Sequence, residues 1–274
     1  MIQNKYYAID AHCHIYPAKI ALKAAEAVED FYQVSRTMLT YDPTPHALVE
    51  AGTAEGIDHF VVHSVATTPH QVHSINRFIA EKVSKYQGKM TGLGTIHPLS
   101  EDMEGDVAEL VGLGLHGIKI HPDLQGFPVD HPGYLQAFHL CGRYGIPVLT
   151  HAGDFRKDLS NPERLARVLE ACPETIFVGA HFGGWSVWEE ALKILPRYHN
   201  LYVDSCSTSY AIGYIGMRRC VDAYGPDRVL FATDYPMHLI GNEIREMLYM
   251  KYSEEEYRKM FSENARKVYR IGEE

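Results

Sequence analysis

Residues 7–14 read Tyr7-Ala8-Ile9-Asp10-Ala11-His12-Cys13-His14. This is a short apolar run that closes on two imidazoles two positions apart. The strand period of two puts Asp10, His12 and His14 on one face and turns Cys13 to the other. Further strand-like runs, rich in β-branched residues, follow near 59–65, 90–97, 116–121, 147–152, 175–182, 201–207 and 229–235, which makes eight with the first at 7–12. Stretches of helical apolar period lie between them at 70–86, 101–112, 132–143, 161–171, 185–195 and 210–224. Strands alternating with helices of this length build parallel βαβ units. Eight units in 274 residues predict an α/β fold, a (β/α)8 TIM barrel, with residues 1–274 as a single domain. The alternative is an open doubly wound sheet, but no GxGxxG follows the first strand.

Punctuation agrees with these boundaries. Ser160-Asn161-Pro162-Glu163 supplies a cap and an early-turn proline. Gly145 follows a helix that ends at Tyr144. One connection breaks the rhythm, the long one from strand 1 to strand 2 over residues 15–58. Its residues 18–31 look helical, and the stretch from Gln33 to Pro45 is irregular. In a barrel this connection lies on the C-terminal face, where sites are built, so a lid or substrate wall is expected there.

Other strands also end on polar residues. The fourth closes Lys119-Ile120-His121-Pro122, the fifth Thr150-His151-Ala152-Gly153, the sixth Ala180-His181-Phe182-Gly183-Gly184 and the eighth Ala232-Thr233-Asp234-Tyr235-Pro236. A barrel brings all these ends to one rim. Three or four neutral imidazoles and a carboxylate there would make an N3O set with room for water. Any one histidine alone reads as a core residue satisfied by backbone. Polar residues at the same end of several apolar strands would each need a partner to offset desolvation.

With these motifs in view the chain resembles the amidohydrolase superfamily, and within it the amidohydrolase-2 group, which includes decarboxylases similar to aminocarboxymuconate-semialdehyde decarboxylase. The likeness runs from Asp10-Ala-His-Cys-His14 through Gly117-Ile-Lys-Ile-His-Pro122 and Ala180-His-Phe-Gly-Gly184 to Ala232-Thr-Asp-Tyr-Pro236. It implies one divalent metal ion held by His12, His14, His151 and Asp234, with His181 as the catalytic residue. Zinc suits such a set best, with manganese or iron as alternatives. Such an ion lowers the pKa of bound water toward ~7, His181 would orient water or carry a proton, and Asp234 would accept the water proton while ligating.

Composition limits the partners. The net charge of −9 opposes nucleic acid, and no apolar run reaches the ~18 residues of a membrane helix. The first ten residues lack the apolar core of a signal peptide, so cytoplasmic residence is expected. Five cysteines without a CxxC pair read as reduced thiols, and Cys13 as a buried inert one. A small-molecule substrate is expected; a homodimer follows from the resemblance alone.

Lys119, His121, Arg156 and Trp185 are candidate substrate contacts, with Arg156 suited to a carboxylate and Trp185 to a ring. His97 and His63 also stand at strand ends. His46, His59, His70, His73, His139 and His199 read as structural. Two activities compete. Hydrolysis of a small amide, ester or lactone is ranked first, and non-oxidative decarboxylation of a small unsaturated or aromatic carboxylic acid second. A metal-bound binding protein without turnover is opposed by His181 beside an intact ligand set. A barrel nuclease is opposed by the acidic charge.

Overall fold

The computed structural model describes residue 2, residues 5–33 and residues 41–272. The described strands are β1 (Ile9–His14), β2 (His59–His63), β3 (Met90–Gly92), β4 (Ile118–Ile120), β5 (Val148–Thr150), β6 (Phe177–Gly179), β7 (Leu201–Asp204) and β8 (Val229–Leu230). Each lies within or against a run expected from the sequence. Around them are α1 (Ala21–Tyr32), α2 (Pro45–Glu55), α3 (Val72–Lys85), α4 (Met103–Gly112), α5 (Pro122–Gln125), α6 (Pro132–Tyr144) and α7 (Pro162–Ala171). They continue with α8 (Trp188–Ile194), α9 (Ser209–Tyr224), α10 (Ile240–Tyr249), α11 (Glu254–Arg258) and α12 (Asn264–Tyr269).

Every strand pairing is parallel, in the orders β1-β2-β3 and β4-β5-β6-β7-β8. Two seams join these ladders. At one, Lys119 N–H donates to Gly94 O at 2.7 Å; at the other, Ala11 N–H donates to Phe231 O at 3.0 Å and His14 N–H to Tyr235 O at 2.8 Å. The result is a closed (β/α)8 barrel without an exposed sheet edge. Ile9, Ala11, Val61, Leu93, Leu149, Val178 and Leu230 fill its interior, and Ala265, Val268 and Tyr269 of α12 join that cluster. Tyr269 O accepts from His116 just before β4 at 2.6 Å, so α12 closes the end where the strands begin. A second core, with Phe60, Val62, Ile118, Ile120, Phe177 and Val203, seats the helices.

The first strand departs from simple alternation. Asp10 pairs with Phe60 and Cys13 with Val62, so β1 advances three residues where β2 advances two. That extra residue is a bulge, which switches the faces of the strand. Ile9 and Ala11 therefore point inward, whereas Cys13 belongs to the outer core. His12 and His14 share the inward face, but Asp10 does not join them as the period of two predicted. Its carboxylate accepts from Thr233 Oγ1 at 2.5 Å and from Thr233 N at 3.0 Å, tying β1 to β8. Burial pushes the Asp10 carboxyl up to about 6.

Helix ends follow their signals with one exception. Gly145 takes φ 64° as the left-handed C-cap of α6. Asn161 occupies the N-cap position of α7 without a side-chain cap bond. Its Oδ1 accepts from Asp154 N at 3.1 Å instead, which anchors the loop after β5. Among the described residues no helix is long and apolar enough to cross a membrane.

Glu243 of α10 is buried. One carboxylate oxygen accepts from Ser209 Oγ at 2.6 Å and the other has no partner. Burial pushes this carboxyl up to about 8, against about 4.3 in an unfolded chain. Between those values the folded protein holds a proton that the unfolded chain has released, so stability falls as pH rises. Glu243→Gln removes this term. Urea midpoints of the two proteins should diverge in favour of the variant from pH 5 to pH 8; parallel profiles would contradict the assignment.

Candidate metal centre and active site

A cavity of about 460 Å³ opens at the C-terminal ends of the strands, a volume suited to a small ligand. Its polar floor carries His12, His14, Lys119, His121, His151, His181 and Asp234. Its walls carry Ile20, Ala24, Ala27 and Val28 from or next to α1, Ile75 and Phe78 from α3, and Trp185 and Tyr210.

At the floor three donor atoms face one another. His12 Nε2 lies 3.2 Å from His14 Nε2, and both lie 3.4 Å from Asp234 Oδ1. His12 Nδ1 is 2.8 Å from Asp204 Oδ2 and donates its proton there, which leaves the Nε2 lone pair facing inward. Burial, reinforced by the charge of Lys119, pulls His12 down to about 4; His14 is lowered mainly by burial as well. Burial would raise the Asp234 carboxyl, but the His14 hydrogen bond and the nearby His12 and His181 outweigh it and hold it well below the usual range. Asp204 is likewise opposed by burial, and its contacts with His12 and His181 bring it to about 2. Near neutral pH, then, the Nε2 atoms of two imidazoles and a carboxylate oxygen point into one small space. Two ligands each about 2.1 Å from an ion at a tetrahedral angle stand about 3.4 Å apart. The triangle fits one divalent cation.

Beside it stands His181, and next to His181 stands His151, whose donor atom groups with those of His121 and Asp123 within 4.8 Å. His151 Nδ1 lies 3.1 Å from His181 Nε2, and donor atoms of His181, Asp234 and Cys206 are all within 4.8 Å of one another. His181 Nδ1 lies 3.1 Å from Cys206 O and donates to it, so Nε2 faces His151 and the cavity. His121 stacks on His151 with centroids 4.0 Å apart and planes 7° apart. Burial first, and neighbouring positive groups second, hold both well below the usual imidazole range, which permits the stack. Lys119 is buried with Nζ 3.1 Å from His12 Nε2, and burial lowers its pKa. His181, Ser207 and Asp234 all have positive φ, at 59°, 48° and 58°. Non-glycine residues held in this region are costly and gather at functional sites.

The remaining expectations divide. Trp185 lines the cavity and donates from Nε1 to Tyr210 Oη at 2.9 Å. Arg156 does not line it. Asp154 takes its Nε at 2.9 Å and its Nη2 at 2.6 Å, so the guanidinium is spent on an internal ion pair rather than offered to a substrate carboxylate. His97 packs edge-on against Phe127 away from the cavity. His63 stands edge-on to His12 at 4.8 Å and to His14 at 4.5 Å, with a ring nitrogen within 4.8 Å of a donor atom of each. His59 bonds Thr91 Oγ1 at 2.9 Å and His139 bonds Glu174 at 2.8 Å, both structural roles.

Three residues with roles here were not singled out in the sequence. Asp204 closes β7 as the histidines close their strands, and that position was its legible signal. Tyr32 and His238 also line the cavity, from a helix and from the loop after β8, where no local pattern marks them.

A family model described as Amidohydrolase matches residues 9–271, and the chain belongs to this family. No curated protein matches it in sequence. Solved structures share its fold at low identity. The 5-carboxyvanillate decarboxylase of Novosphingobium aromaticivorans, complexed with manganese, aligns at TM-score 0.75 and 19% identity over 99% of this chain and 98% of its own. A dihydroxybenzoic acid decarboxylase of Polaromonas sp. JS666 with bound manganese aligns at 0.70 and 15% over 97% of each chain. A putative 2-pyrone-4,6-dicarboxylic acid hydrolase of Pseudomonas putida aligns at 0.69 and 18% over 98% and 99%.

The geometry sets distinct outcomes for three variants. Elemental analysis of loaded protein should give one divalent ion per chain. Asp234→Asn and His12→Ala should lose it on dialysis. Asp204→Asn keeps the ligands but frees the His12 ring, and should weaken affinity by about 10–100-fold. Full occupancy in Asp234→Asn would remove the donor triangle as the metal site.

Proposed function

We propose that this protein is a divalent-metal-dependent carboxy-lyase that removes carbon dioxide, without oxidation, from a small aromatic or unsaturated carboxylic acid. The observation that carries this reading is the polarity of the cavity. A donor triangle with a buried ammonium beside it forms one pole, and the rest is lined mainly by apolar and aromatic side chains, with Glu29, Thr67, Gln71 and Ser74 among them. Such a pocket matches a planar acid whose carboxylate enters first. The manganese-bound aromatic-acid decarboxylases of the same fold support this choice over the hydrolysis ranked first from sequence.

His12, His14 and Asp234, with His151 as the fourth donor, would hold the ion. When bound it supplies a Lewis acid against substrate oxygens. Lys119 Nζ adds a second positive group on the same side, suited to the carboxylate or a neighbouring oxygen. Asp204 keeps the His12 lone pair aimed inward. The apolar walls would keep water from a ring bound among them. When the bond to the carboxyl carbon breaks, carbon dioxide departs and the electron pair stays on the ring or alkene carbon. A proton must then reach that carbon. His181 Nε2, which carries a lone pair while Nδ1 donates to Cys206 O, is placed to take a proton from water and pass it to that carbon.

Lactone hydrolysis is the second reading, favoured by the pyrone dicarboxylic acid hydrolase among the structural neighbours. Product analysis separates the two. Decarboxylation in deuterated water should release carbon dioxide and place one deuterium on the carbon that carried the carboxyl group. Heavy oxygen from labelled water in an acid product, without carbon dioxide, would establish hydrolysis instead. Under either chemistry His181→Asn should retain the ion and lower kcat by about 10²–10⁴-fold. Loss of metal in that variant would make His181 a ligand.

A further inference from the structure

The wall that α1 contributes is pinned at its last turn by a side chain from the opposite side of the cavity mouth. Arg156 Nη1 donates to Phe31 O at 3.2 Å, and its guanidinium carbon lies 5.0 Å from the Tyr32 ring centroid and 5.6 Å from that of Phe31. Asp154, wholly buried, holds the guanidinium through two charge-assisted bonds and also accepts from the Arg156 backbone N–H at 2.9 Å. That fork cannot turn without breaking both side-chain bonds. Trp185 adds an edge-on contact with Tyr32 at 4.9 Å. The pinned turn delivers one polar atom into the site. Tyr32 Oη lies 2.8 Å from His121 Nε2 and 3.2 Å from His151 Nε2. His121 Nδ1 accepts from Leu124 N–H and His151 Nε2 faces Gly153 O at 3.0 Å, so both Nε2–H groups point their protons toward acceptors and the phenol oxygen accepts, leaving its own proton for the cavity.

We propose that α1 is the lid of the cavity, that Arg156 is the positioning residue that latches it, and that the latched lid presents the Tyr32 hydroxyl to the substrate. Elsewhere α1 buries little apolar surface. Its described buried side chains are Ala21, Ala25 and Glu29, and Ile20 and Leu22 at its start are half exposed. Two alanines bury little apolar area, so the clasp at the last turn, beside the contacts of buried Glu29, carries much of the orientation of α1. Arg156, read from sequence as a substrate ligand, thus acts on substrate through Tyr32. The contact of Tyr32 with substrate rests on the carboxy-lyase reading; the latch does not.

Hydrogen exchange on the full chain tests the latch without substrate. Arg156→Met should speed exchange of the α1 amides by about tenfold or more, with the strand amides unchanged as the check on folding. Arg156→Lys, which keeps the charge but not the fork, should fall between wild type and Arg156→Met. Tyr32→Phe keeps the ring packed and should leave α1 exchange near wild type. With whichever acid or lactone the product assay identifies, Tyr32→Phe should lower kcat/KM about tenfold at unchanged metal content. Adding Arg156→Met to Tyr32→Phe should cost no further kcat, because both act through one hydroxyl. Unchanged α1 exchange in Arg156→Met overturns the latch. Wild-type kinetics in Tyr32→Phe, or full additivity of the pair, overturns the role of Tyr32. Failure of every carboxylic acid to react would count against the carboxy-lyase reading alone, since exchange decides the latch and a lactone would then report on Tyr32.

Discussion

Two imidazole nitrogens and a carboxylate oxygen, each within 3.4 Å of the others, can stand together only with a proton or a cation among them. Much of the rim can be understood as the means of holding that unfavourable arrangement in place. The bulge in β1 turns His12 and His14 inward together. Asp204 fixes the tautomer of His12. The left-handed backbone at Asp234 aims its carboxylate at the same point. Each device has a cost, in an interrupted ladder, a buried charge or a strained residue, and the closed barrel supplies the rigidity to sustain it.

The division of the core explains how so many polar groups stay buried at one end. Interior positions lower in the barrel are aliphatic, from Ile9 and Ala11 to Leu149 and Val178. The polar layer sits above them, where strand ends meet loops that carry their own backbone donors and acceptors. His181, for example, bonds Asp204 through its backbone N and Cys206 O through its ring. Desolvation lowers the pKa of His12, His14, His121 and His151, and hydrogen bonding decides which nitrogen each offers. The same burial keeps Cys13 a thiol, pushed well above its ordinary range and packed in the outer core.

The cavity joins two kinds of structure. Its floor is built on strands that cannot move independently, which suits metal ligation and proton transfer. One wall is a helix outside the repeating βα frame, inserted between β1 and β2. Substrate choice can therefore vary with that insertion while the chemistry of the floor stays in place.

The sequence by itself determined the order and number of the strands, most helix positions, the identity of the polar strand ends and the placement of a long insertion on the functional face. These are properties of periodicity and spacing, carried by residues close together in the chain. It could not place Asp10, because one extra residue in β1 reverses the face on which a residue lies, and only pairing with β2 reveals that residue. Nor could it show what Asp204 does, since its partner His12 lies 192 positions away. Arg156 looked like a ligand for a substrate anion because a lone loop arginine beside a site has free donors. Tertiary structure decided otherwise by burying Asp154 beneath it and laying α1 across it. Local pattern specifies where a side chain can point, and the contacts that use up its hydrogen bonds come from chain segments that only folding brings together.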